Sequence, residues 1–195
     1  MAENVLVKES GQATIVDGWL GCARRVASPN FSPRPESAID LLVIHNISLP
    51  PGEFGGGYVD ALFRNCLDPG RHSYFAEICH LQVSAHLLID RAGKLTQYVN
   101  FDNRAWHAGQ SSFCGRHDCN DFSIGIELEG CDEQPFSDCQ YHSLAAVTRL
   151  IMEAYPAITA DRIVGHSDIA PGRKTDPGPF FEWPRYLQAI ETGQV

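Results

Sequence analysis

The chain of 195 residues has no long apolar run, no basic excess and no Cys-x-x-Cys pair. Without an apolar stretch of about 18–20 residues, no transmembrane helix is expected. Lys and Arg total 15 against 24 Asp and Glu, and the formal net charge is -9. That balance argues against a nucleic-acid partner, which needs a basic footprint over phosphates. It also opposes adhesion to anionic membranes or wall polymers. The stretch from Met1 to Ser10 has neither the basic start nor the apolar segment of a secretory signal, so the expected location is the cytoplasm. There are seven cysteines. An odd number with no signal reads as reduced thiols. Cys114 and Cys119 have no matching second pair, so a structural zinc knuckle is not expected. No internal repeat or low-complexity segment is present.

What is there is ordinary globular material: 44% hydrophobic and 20% charged residues, in a length that suits one domain. Residues 1–37, with a loop rich in Pro and Ser (Ser28 to Pro35), read as an extended arm packed on a domain spanning 38–192. Leu41 to Ile44 is a continuous apolar run, the mark of a buried strand, and it ends on His45. Pro50-Pro51-Gly52 and Gly55-Gly56-Gly57 make a mobile loop directly after it. Tyr58 to Leu67 predicts a short helix. The alternation from Val83 to Ile89 predicts a strand, Arg91-Ala92-Gly93 a hairpin turn, and Lys94 to Val99 the return strand. Arg104 to Gly109 reads as a loop with an aromatic anchor. Ile124, Ile126 and Leu128 put one strand face in the core, while Gly125, Glu127 and Glu129 share the other. Ser137 with Gln140 is a capping box opening a helix over 138–154. Arg162 to Val164 forms a short strand delivering His166, and a last helix covers Trp183 to Ile190. The sum is an α/β (α+β) single domain, a central mixed β-sheet flanked by helices.

Three pieces carry chemistry. Gly165 to Gly178 packs His166, Lys174 and Asp176 into a short loop broken by Pro and Gly. His45 ends a strand, where open α/β folds place ligands. Glu127 stands in an otherwise apolar strand. Two histidines, an aspartate and a separate glutamate are the parts of a catalytic zinc site with an open position. Each has a plainer reading: His45 as a satisfied core histidine, Asp176 as an Asp-Pro turn, Lys174 as a solvated lysine. Lys174 and Asp176 are two apart, so in an extended segment they point to the same side. A cation there suits an oxyanion forming on a carbonyl. In that scheme zinc lowers the pKa of its water to about 7, and Glu127 takes the proton and later passes one to the leaving amine. Glu129 shares the face of Glu127 and is its competitor for that role. A pair of carboxylates also suits a glycosidase, but the His-His-Asp set explains more of the chain.

From about Trp19 to Ile190 the chain resembles the AmpD family of zinc N-acetylmuramoyl-L-alanine amidases. The resemblance rests on Leu42 to Gly52, Val83-Ser84-Ala85-His86, Arg104 to Gly109, Phe122 to Gly130, and Gly165-His166 through Gly178, in that order. It implies the fold shared with phage T7-type amidases (T7-lysozyme-like) and peptidoglycan-recognition proteins. It implies one zinc per chain on His45, His166 and Asp176, with Glu127 as catalytic glutamate and Lys174 stabilising the oxyanion. The implied substrate is a 1,6-anhydro-N-acetylmuramyl peptide, cut between the lactyl group and L-alanine. The implied setting is cytoplasmic wall recycling in Gram-negative bacteria, with an influence on β-lactamase induction. Asn46, Trp106 and His107 are candidate substrate-binding residues, and a monomer is expected. Some family members carry an arginine where Gln82 stands here, leaving Arg71, Arg104 and Arg116 as candidate cations for the peptide carboxylates. Three rivals remain: a metal-free muropeptide-recognition module on the same fold, for which an incomplete ligand set would be the sign; a cysteine hydrolase, for which no nucleophile motif is present; and a broader, envelope-located amidase, which would need an export signal.

Overall fold

The run Leu41-Leu42-Val43-Ile44-His45 is buried at every position, as a strand covered on both faces must be. The computed structural model, which describes residues 14–35 and 38–193, sets this strand within a six-stranded mixed sheet. In chain order the strands are β1 (Ile15–Val16), β2 (Trp19–Leu20), β3 (Arg24–Arg25), β4 (Phe31–Pro33), β5 (Leu41–Ile47), β6 (Leu87–Ile89), β7 (Leu95–Gln97), β8 (Asn103–Ala105), β9 (Ser112–Phe113), β10 (Arg116–His117), β11 (Ser123–Glu129) and β12 (Ile163–Gly165). The helices are α1 (Tyr58–Phe63), α2 (Ser73–Ile78), α3 (Asp138–Ala154), α4 (His166–Ile169) and α5 (Trp183–Thr192). The sheet order is β12-β5-β11-β6-β7-β3. The first four are parallel, β7 returns antiparallel to β6, and β3 lies parallel to β7 at the edge.

Side-chain alternation sorts the core. Leu42, Ile44, Ile124, Ile126 and Leu128 join Leu144, Ile151 and Tyr186 from α3 and α5 on one face. On the other face Leu88 and Tyr98 pack with Leu62, Phe63 and Phe75 from α1 and α2. The capping box of α3 is present in both directions: Gln140 N–H donates to Ser137 Oγ, and Ser137 N–H to Gln140 Oε1. Such a cap is worth about 1 kcal/mol. The Gln140 amide also donates to the carbonyls of Ile89 and Glu129, at 3.3 and 2.9 Å, tying the helix start to the ends of β6 and β11.

Several elements differ from the pattern reading. The strand expected from Val83 begins at Leu87, because Ser84 spends its hydroxyl on the Asn30 carbonyl and accepts Trp106 N–H. The helix expected to reach Leu67 stops at Phe63, and Asn65 takes a φ of 59°. Asn103–Ala105 is a strand rather than part of a loop because β4 pairs with it, Phe31 opposite Ala105. Helix α2 has no strong period of its own; the His72 side chain starts it by accepting Tyr74 N–H. Residues 1–13 of the arm lie outside the described residues. Its remainder is fastened by polar staples: Leu20 N–H donates to Gln97 Oε1, and Arg34 donates to the carbonyls of Phe101, Asn120, Asp121 and Ser123.

Candidate active site

Register brings the chemistry together. In the β5–β11 pair, Glu127 stands directly opposite His45. In the β12–β5 pair, Gly165 stands opposite Ile44, so the next residue, His166, arrives beside His45. All three strands are parallel and deliver these residues toward their carboxyl ends, the usual ligand edge of such a sheet. Gly165 is required here: a β-carbon on it would come within 2.8 Å of Pro177 Cδ. That close approach, with a bond from Ser167 N–H to the Asp176 carbonyl at 3.0 Å, folds the loop back and sets Asp176 against His166.

His45 Nδ1, His166 Nδ1 and Asp176 Oδ2 form a tight triangle with sides of 2.9, 3.0 and 3.0 Å. The ligand atoms of a tetrahedral zinc ion, at bonds of about 2.0–2.2 Å, sit roughly 3.3–3.6 Å apart, so three such atoms need only open slightly. His166 Nε2 lies 3.0 Å from the Ala108 carbonyl. A carbonyl only accepts, so Nε2 carries the hydrogen and Nδ1 keeps its lone pair. Burial pushes the His45 imidazole down to about 4, against the pull of Asp176. Burial raises the Asp176 carboxyl, but its contacts with His166 and His45 outweigh that and hold it below the usual carboxylate range. Neutral imidazole and ionised carboxylate are the protonation states a metal requires. The group is one that can hold a metal ion. A lone pair aimed at a carboxylate oxygen repels it unless a cation lies between, so the donor set fits zinc.

Glu127 and Glu129 part company despite sharing a face. Glu129 accepts Gly55 N–H at 2.5 Å and Arg91 N–H at 3.1 Å, so both oxygens are engaged in holding loops. Glu127 is buried, and its Oε2 has no hydrogen-bond partner among the described residues. Burial, then the charge of Asp176, raises its pKa well above the ordinary 4.5, opposed by Lys174. An unpartnered buried carboxyl beside a metal-type triad is poised for proton transfer.

A cleft of roughly 350 Å³ opens from the triad; Glu127, Lys174, Asn46, Trp106 and His107 line it, with Leu62, Phe63, Tyr74 and Ile78 as an apolar wall. Lys174 stands on the exposed rim, outside any strand. The Asn46 amide also donates to Asp132 Oδ1 and the Pro177 carbonyl, at 2.7 and 3.1 Å. Trp106 Nε1 approaches Ser32 Oγ at 3.5 Å. Both ring nitrogens of His107 are engaged, with His45 and with Ser123. Arg71, Arg104 and Arg116 each pair with a carboxylate, Asp68, Asp121 and Asp40, and none of them lines the cleft. The pattern reading missed the α1–α2 wall contributed by Tyr74 and Ile78, and the contact of Arg173 with the Ala108 carbonyl at 2.6 Å. Only the aromatic and apolar spacing of Tyr74, Phe75 and Ile78 hinted at the former.

Comparison with known proteins identifies the family and the fold. The family model described as N-acetylmuramoyl-L-alanine amidase matches residues 35–179. The 1,6-anhydro-N-acetylmuramyl-L-alanine amidase AmpD of Haemophilus influenzae is 60% identical over 178 residues, covering 91% of this chain and 97% of the relative. The crystal structure of a selenomethionine derivative of AmpD superposes with a TM-score of 0.87 at 59% identity, covering 90% of this chain and 98% of its own. AmiD of Escherichia coli, solved in complex with anhydro-N-acetylmuramic acid-L-Ala-D-gamma-Glu-L-Lys, gives a TM-score of 0.57 at 31% identity, covering 83% of this chain and 58% of its own.

Proposed function

This chain belongs to the N-acetylmuramoyl-L-alanine amidase family, and from that premise we propose how its centre works. The enzyme is an AmpD-type 1,6-anhydro-N-acetylmuramyl-L-alanine amidase, a hydrolase of peptidoglycan recycling. In the proposed reading His45, His166 and Asp176 hold one zinc ion per chain. The carrying observation is their convergence on one point, beside a buried carboxyl with an unpartnered oxygen. When bound, zinc supplies Lewis acidity, polarising the scissile carbonyl and acidifying the attacking water.

The chain's own residues do the rest. Glu127 takes a proton from the water as it attacks the lactyl carbonyl, and returns one to the nitrogen of L-alanine as the C–N bond breaks. Its raised pKa favours holding that proton between the two events. Lys174, on the cleft rim, supplies positive charge to the oxygen that becomes negative in the tetrahedral state. Trp106 and the apolar wall from α1 and α2 cover the muropeptide and exclude water, and Asn46 orients it at the inner end. The seven free thiols fit a reducing compartment, and we place the reaction in the cytoplasm. Among the described residues no helix is long and apolar enough to cross a membrane. The donor triad is complete within a single chain, so a second copy is not needed to build the centre, and we propose a monomer as the working unit. The complete donor set sets aside a metal-free recognition module.

The test is a paired assay of wild type and His166→Ala. One zinc per chain and release of free tripeptide from anhydromuramyl tripeptide in wild type, both lost in the variant, support the reading. Peptide release with no zinc bound overturns the metal assignment.

A further inference from the structure

We infer that His107, seated on Ser123, is a positioning residue that fixes the tautomer of His45, so that Nδ1 of His45 is the atom offered to the metal. The inference rests on the zinc reading above. It starts from a backbone carbonyl, that of Cys119, which can only accept. Ser123 Oγ lies 2.6 Å from it and donates its hydroxyl hydrogen there. The same oxygen lies 3.1 Å from His107 Nε2, so its lone pairs face a ring nitrogen that must carry hydrogen. Among the described residues, the side-chain contacts of His107 are the rings of His45 and His86, a hydroxyl and backbone, with no carboxylate to hold a cationic imidazole. In the neutral ring, Nε2–H leaves Nδ1 as an acceptor. His45 Nε2 lies 2.9 Å from it and therefore donates. The lone pair of His45 is left on Nδ1, inside the triangle with His166 and Asp176.

The surroundings hold this relay rigid. A β-carbon on residue 125 would come within 2.5 Å of the His107 ring, so glycine in the middle of β11 makes the space that the imidazole fills. Asn120 Oδ1 accepts the N–H groups of both His107 and Ala108, at 3.0 and 2.8 Å. The Ala108 carbonyl in turn accepts His166 Nε2–H. Two consecutive residues, clamped by one asparagine, thus orient both ligand histidines: one through its side chain, the other through its backbone. Groups that orient ligand imidazoles in this way typically contribute 10–100-fold to metal affinity.

The test measures zinc dissociation constants of the full chain by chelator competition, with melting temperatures recorded alongside. His107→Phe keeps a ring against Gly125 and removes the acceptor; its zinc affinity should fall by about 10–100-fold. His107→Asn returns an oxygen acceptor near the position of Nδ1 and should recover most of that loss. Ser123→Ala leaves the imidazole in place, removes its anchor and should weaken zinc binding in the same direction, which keeps the test alive if the phenylalanine variant does not fold. Wild-type affinity in a folded His107→Phe overturns the inference while leaving the zinc site intact. Equal losses in His107→Asn and His107→Phe overturn it too, because packing rather than the hydrogen bond is then responsible. A wild type that binds no zinc brings down the zinc reading, and this inference with it.

Discussion

Replacing Glu127 by glutamine separates two demands placed on one side chain. The residue is 8% exposed, and its Oε2 has no hydrogen-bond partner among the described residues. Burial, reinforced by Asp176, raises its pKa well above 4.5. A group whose folded pKa lies above its unfolded value contributes stability that is full below the unfolded pKa and is lost as pH rises through the folded one. For Glu127 that loss begins near 4.5 and continues as pH rises through its raised folded value. Glutamine keeps the shape and has no charge to bury. With chelator present in both samples, the stability difference should move in the variant's favour as pH rises, read as denaturation midpoints across a pH series. Activity should go the other way. A positioned general base contributes about 10²–10⁴-fold, equivalent to about 2.7–5.5 kcal/mol of barrier. The turnover number on anhydromuramyl tripeptide should fall by that factor with KM nearly unchanged. Glu129 cannot substitute, since both its oxygens hold backbone amides. A turnover number within a few-fold of wild type refutes the assignment of the base. A stability difference that does not move in the variant's favour as pH rises refutes the argument from an uncompensated buried carboxyl.

Lys174→Met should leave zinc content intact and lower the turnover number by about 10²–10³-fold, the usual effect of removing one oxyanion partner; unchanged turnover would show that the rim cation plays no part. Glu129→Ala strands the amides of Gly55 and Arg91 and should cost about 1–3 kcal/mol, with faster proteolytic cleavage at Gly55–Gly57; an unchanged cleavage rate would show that the loop does not depend on that carboxylate. Burial raises the phenols of Tyr98 and Tyr186 above 10.0, Tyr98 with help from its bond to Asp60. The stability they contribute is full below about pH 10 and is lost as pH rises further, so tyrosinate absorbance and loss of circular dichroism should coincide; ionisation well ahead of unfolding would contradict this.

The parts legible in the sequence are those whose signals are local. The apolar run before His45, the alternation around Glu127 and the Ser137–Gln140 box each carry their own pattern, and β5, β11 and α3 follow it. Strands β3, β4 and β8 are short and take their structure from partners far along the chain, such as Phe31 opposite Ala105, so no window of sequence displays them. The choice between Glu127 and Glu129 is of the same kind. Both sit on one face of one strand, and contacts remote in sequence distinguish them: Glu127 stands opposite His45, while Glu129 is taken up by the amides of Gly55 and Arg91. His107 reads as a polar group for substrate until its two nitrogens are seen to meet His45 and Ser123.

The family match begins at residue 35, yet Leu20 is wholly buried in the main core and Phe31–Pro33 pairs with the strand that leads into Trp106. The boundary of the family model is therefore not the boundary of the packed body, and the 60% identical relative indeed matches over 178 residues. A shortened enzyme cut at that boundary would retain every proposed ligand and catalytic group while removing one side of the frame that holds the cleft's aromatic wall. Anyone trimming this protein for expression, fusion or grafting should treat residues 14–35 as part of the catalytic body.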